Sequence, residues 1–152
     1  MKELKHPIRE AERYLQNARD ILTEKAGKDG GYYTDRKYVR MAGHTAWCGV
    51  LEALDAVLDI RKSAGLRRNQ RVSFGDYRDA VNKVDRKMNR QLLDIYDILH
   101  LTLGYDGVLN YKVVQAGLEG AKNVINWAEK QYQKQIPSLR TARNEAGNNP
   151  EH

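Results

Sequence analysis

The chain has 152 residues, enough for one domain that closes its own core, with 41% hydrophobic and 30% charged side chains. Its single cysteine, Cys48, excludes an internal disulfide and any multi-cysteine zinc or iron–sulfur centre. Three prolines and one phenylalanine, in a chain rich in Ala, Leu, Lys, Arg, Glu and Asp, favour helix over strand. No apolar run nears the ~20 residues of a membrane span, and the opening MKELKHPIREAE lacks a signal-peptide core, so a cytoplasmic location and no membrane contact are expected.

Four helical patterns follow in chain order. The first runs from Pro7, suited to a first helical position, to Ala26, with Gly27 as its stop. Ile8, Ala11, Leu15, Ala18 and Leu22 lay one apolar stripe along it. GKDGGYYT (Gly27 to Thr34) is a flexible connection, with Tyr32 and Tyr33 as either recognition residues or a lid; Thr34 is the expected N-cap of the second helix. That helix extends to Arg61 and is the least polar. Ala42, Ala46, Gly49, Ala53 and Ala56 repeat at helical spacing, and small side chains let helix axes approach closely. Leu51, Leu54, Val57 and Leu58 widen its apolar surface, which predicts a central helix contacted on more than one side. A subunit interface is one source of such contact.

A turn-rich basic loop comes next, and Ser73 with Asp76 resembles a capping box that opens the third helix. Tyr77, Val81, Val84, Met88, Leu92, Ile95 and Leu99 form its expected stripe, until Gly104 and Gly107 break it. The fourth carries Val114, Leu118, Ala121, Ile125, Ala128 and Tyr132, with Gly117 and Gly120 on an adjacent stripe suited to a second close approach. The apolar pattern stops at Pro137. The expected fold is therefore all-α, an up-down-up-down four-helix bundle over residues 1–136, with a flexible tail at 137–152.

Charge is unevenly spread. Residues 61–90 hold ten basic side chains against three aspartates, an excess larger than the +6 of the whole chain. Arg67, Arg68 and Arg71 lie in the loop; Lys83, Arg86 and Arg90 are each offset by two residues from expected core positions, about 200° of helix rotation. Together they are the candidate anion-binding residues, for nucleic-acid phosphates or an acidic protein. A surface that merely keeps the protein in solution is the competing explanation, and the single-strand pattern of repeated aromatic–basic interleaving is lacking.

Arg40, His44, Trp47 and Leu51 follow one another on a face opposite the small-residue seam. Arginine beside histidine is the pairing for phosphodiester acid–base chemistry, with Arg40 and His44 as candidate catalytic residues. An interhelical contact of His44 with Arg40 at its rim is the structural alternative. Asp94, Asp97 and His100 stand three apart, yet such spacing usually marks a solvated face, and no metal or other cofactor is expected. Cys48, inside an apolar helix, is expected to be a buried, inert thiol. Phosphate-loop, dinucleotide and nucleophile-elbow motifs are absent from the sequence.

YVRMAGHTAWCGVLEALDAVL (Tyr38 to Leu58), together with PIREAERYLQNARDIL (Pro7 to Leu22), resembles an uncharacterised bacterial family of small four-helix proteins, classed as a domain of unknown function. More distantly, the second helix is similar to the HEPN superfamily of helical bundles, commonly dimeric, some of them ribonucleases. The nuclease branch separates its arginine and histidine by four to six residues, whereas three lie between Arg40 and His44. The resemblance thus implies a bundle and a homodimer rather than catalysis.

Overall fold

A computed structural model describes residues 6–147, with side chains for residues 6–136. The structure is mostly helical. Helix α1 (Pro7–Ile21) starts as its sequence suggests, with Pro7 in the first turn and His6 Nδ1 accepting from the Ile8 amide at 3.2 Å. Its last turn widens into a π-helical segment, Leu22–Ala26, and stops at Gly27, whose φ of +67° a side chain would strain. All five residues of the expected α1 stripe are buried.

The connection is more ordered than its composition suggests. Lys28–Asp29 (β1) and Tyr32–Tyr33 (β2) pair as an antiparallel hairpin. It is fastened to the segment that opens the last helix, since the Tyr33 amide donates to Leu109 O and the Tyr111 amide to Gly31 O, both at 2.9 Å. Helix α2 (Arg36–Val57) begins one residue later than expected. Asp35 is its N-cap, accepting from the Lys37 amide, while the Thr34 hydroxyl donates to Ala26 O. It also ends four residues early, at Val57; Asp59 then caps a separate short helix, α3 (Ile60–Ala64).

Helix α2 is innermost, touching α1, the last helix and the segment before it. Ala42, Ala46, Gly49 and Ala53 of its seam are buried. A Cβ on Gly49 would lie 3.0 Å from Tyr14 Cβ and 3.1 Å from Ala11 O, so α1 rests directly on the seam.

The third expected rod is where sequence and structure diverge. Ser73 and Asp76 do form a reciprocal capping box that opens α4 (Phe74–Val84). The chain leaves helical geometry at Asp85 (φ −155°, ψ 102°) and restarts as α5 (Arg86–Tyr96). Asp85 Oδ1 caps α5 by accepting from the Met88 amide, while Oδ2 accepts from Trp127 Nε1, each at 3.0 Å. Helices α4 and α5 fold back on each other: Arg78 Nε donates to Asn89 Oδ1, and the rings of Phe74 and Tyr96, at opposite ends, stack 4.0 Å apart. Val84, expected in the core, is 51% exposed for this reason.

Helix α5 widens into a nine-residue π-helical stretch, Asp97–Tyr105, which carries Leu99 and Leu103 into the core. A turn at Gly107 leads to α6 (Tyr111–Gly147), whose backbone continues past Pro137. The expected flexible tail falls on side chains, and from residue 148 on backbone, outside the described residues. Gly117 and Gly120 make the second close approach: added Cβ atoms would lie 2.8 Å from Ile98 Cγ2 and from Ile95 Cγ1. Among the described residues no helix is long and apolar enough to cross a membrane.

The tightest seam joins α2 to the π-helical stretch. A Cβ on Gly43 would lie 2.7 Å from Leu103 Cβ, 2.8 Å from Gly104 N and 2.9 Å from Leu99 O, mostly backbone that cannot step aside. Gly43→Ala is expected to cost about 1–3 kcal/mol, a fall of a few to about 10 °C in Tm, whereas Gly31→Ala, with nothing within 4 Å, leaves the melting curve unchanged. Asp85 supplies a second test. The Met88 amide first, then Trp127 and Lys87, hold its carboxyl below the usual aspartate range despite desolvation. Its stabilisation is complete above the unfolded value of about 3.9 and is lost as pH falls through the lower folded one. Asp85→Asn should flatten that part of the acid-unfolding curve and lower stability at neutral pH.

Candidate functional site

The basic segment spans α3, the loop and the α4–α5 hairpin. Arg61 holds the loop closed by donating from Nη1 to Arg67 O and from Nη2 to Gln70 O, at 3.1 and 2.8 Å. Lys83 Nζ donates to both oxygens of Ser63, at 3.1 Å to the carbonyl and 2.9 Å to the hydroxyl, so the C-terminal end of α4 meets α3, from which the loop departs. These bonds draw the two halves of the basic segment together. Arg67, Arg68, Arg71, Lys83, Arg86 and Arg90 are all exposed. Lys83, Arg86 and Arg90 do not form one helical stripe, because the fold-back at Asp85 separates the first from the other two.

The acidic residues of this segment are largely committed elsewhere. Asp76 closes the capping box and Asp85 makes two hydrogen bonds, each at a helix N-terminus whose dipole offsets part of its charge. Asp79 remains exposed.

Arg40 and His44 sit where α2 crosses the π-helical stretch. Arg40 Nε donates to Tyr105 O at 3.0 Å, which places a cation on the carbonyl end of that stretch, where it is favoured. The exposed His44 lays its ring over Gly104: an added Cβ there would lie 2.9 Å from His44 Cε1. The shallow depression beside Arg40 is bounded by Gly104, Tyr105 and Asp106, and His44 does not line it.

Sequence spacing missed what lies behind His44. His100 leaves the aspartates, which stay exposed, and turns inward, with its ring 5.7 Å from that of His44 and stacked 5.0 Å from Tyr96. Trp47 packs edge-on against Phe74 and Tyr96, completing an aromatic cluster that anchors the α4–α5 hairpin to α2. His100 Nδ1 is buried with no hydrogen-bond partner among the described residues. The four-residue step from Tyr96 to His100 was the available signal; the meeting with α2 had none.

Cys48 departs from its expectation in burial but not in reactivity. It is exposed, because it lies on the outward side of α2 beside Glu52, and partial burial followed by that carboxylate pushes its thiol pKa up. Raised in this way, it is a poor nucleophile. Among the described residues no group of three or more His, Cys, Asp or Glu side chains comes together to hold a metal.

The family described as Domain of unknown function (DUF5618) matches residues 6–130. A solved structure, a protein of unknown function from Dyadobacter fermentans, is 41% identical, with a TM-score of 0.72, over 82% of this chain and 95% of that one. No curated protein matches.

Proposed function

We propose, of a chain that belongs to the family described as Domain of unknown function (DUF5618), that it is a non-catalytic interaction module, a HEPN-like four-helix bundle over residues 1–136 that forms a homodimer and binds nucleic acid through residues 61–90. The observation that carries this reading is the set of six exposed cations within one short segment of the chain, with two of the three local aspartates engaged at helix starts. Phosphate binding needs such a cluster, since each neutralised phosphate releases a counterion.

Fluorescence anisotropy with single-stranded RNA across a salt series tests it. Reversing Arg67, Arg68, Arg86 and Arg90 to Glu leaves the Lys83 bonds in place and should weaken binding strongly. If all four meet phosphates, the slope of log K against log salt becomes shallower by about 3. Unchanged binding and slope would overturn the reading; binding to an acidic protein but not to RNA would transfer the surface to a different partner. Light scattering tests the dimer.

A second reading is a degenerate HEPN-type ribonuclease using Arg40 and His44. The nearness of His100 to His44 favours it, since two imidazoles at one site are the parts of an acid–base pair. Its signature is metal-independent RNA cleavage that His44→Ala abolishes while the circular dichroism spectrum is kept. Full-length RNA after prolonged incubation with the unaltered protein would end that reading.

A further inference from the structure

A cavity of about 380 Å³ lies at the other end of α1, sharing no residue with either surface above. One wall is the C-terminal part of α1 and its π turn, the second is the hairpin, and the third is the start of α6. Its floor is apolar: Leu22, Leu118 and the Tyr33 ring are all buried. Its rim is cationic, with Arg19 and Lys28, and none of the residues lining it is acidic. Neither cation has an ion-pair partner among the described residues.

The polar groups between floor and rim include hydroxyl donors. Gln115 Nε2 donates to Tyr33 Oη at 3.0 Å, which leaves the Tyr33 proton for another acceptor. Burial, its largest influence, pushes the Tyr33 pKa up, so that proton stays on at neutral pH. Thr23 adds a hydroxyl to the same lining. Lys28 Nζ stands 3.7 Å over the Tyr111 ring, an attraction that fixes its ammonium at the mouth. The hairpin is itself held by backbone bonds to Leu109 and Tyr111, so the wall bearing Lys28 and Tyr33 is formed in advance.

A half-open cavity with an apolar floor beneath two cations and a hydroxyl donor complements one kind of molecule. We infer that this cavity binds a small organic anion, a single planar ring carrying a phosphate or carboxylate, with the ring on Leu22, Leu118 and Tyr33 and the anionic group between Arg19 and Lys28. The volume is at the lower end for small-molecule sites, which suits one ring and not a dinucleotide.

Isothermal titration tests this with four probes: phenyl phosphate, benzoate, inorganic phosphate and benzamidine. Phenyl phosphate or benzoate, whichever anionic group the site prefers, should bind with one site per chain. Inorganic phosphate should bind at least about tenfold more weakly for want of the ring, and benzamidine, a cation of the same shape, not at all. Arg19→Met and Lys28→Met keep the aliphatic stems and should each cost at least about tenfold in affinity. Arg19→Lys should recover part of that loss, and unchanged melting curves certify the fold of all three variants. Reversing Arg67 and Arg68 should leave the titration as it was, which separates this site from the basic segment. No heat from either ring-bearing anion at millimolar concentration, equal binding by the double methionine variant, or equal binding of benzamidine or inorganic phosphate would overturn the inference.

Discussion

The missing side chains of Gly43 and Gly104 set the geometry of the middle of this protein. Because Gly43 has no Cβ, the backbone of α2 comes directly against Gly104 N and Leu99 O of the π-helical stretch, and because Gly104 has none, that stretch comes close to α2. Leu99 and Leu103 are buried on one side of that contact, and the His44 ring lies across Gly104 on the other. The widened helix is part of the same arrangement, since an extra residue per turn changes which side chains face the core. Arg40 then reaches the end of the stretch and caps it at Tyr105. Both side chains paired as catalytic candidates in the sequence thus touch this contact.

The α1 stripe, the α2 seam and the α6 stripe were legible because each is a long repeat whose buried partners are other long repeats. The capping box was legible because its two residues need only each other. The hairpin of α4 and α5 was not. Val81, Val84, Met88 and Leu92 continue one helical period across Asp85, so periodicity alone draws a straight rod. What bends it is an aspartate that caps the following helix and meets Trp127, a partner far along the chain that spacing cannot reveal. The aromatic cluster depends on that bend, because Phe74 reaches Tyr96 only when the helices fold back.

The candidate surfaces follow the same division. The cations of residues 61–90 could be counted in the sequence, but the hydrogen bonds of Arg61 and Lys83 to backbone oxygens could not, because composition does not encode them. The exposure of Cys48 was missed because α2 is apolar on average while one narrow strip of it still faces outward. His100 was read with its neighbours on α5, whereas its ring belongs to the contact with α2.

The hairpin strap links residues near the beginning of the chain to Leu109–Tyr111, and its bonds are backbone to backbone. Such long-range closure is cheapest once the intervening helices are in position, because they meet the loop entropy that two hydrogen bonds alone would have to repay. The space beneath the strap therefore exists only in the completed molecule and has no counterpart in a half-folded one. Whatever occupies it acts as a clasp, drawing the conformational equilibrium toward the finished structure in proportion to its own affinity.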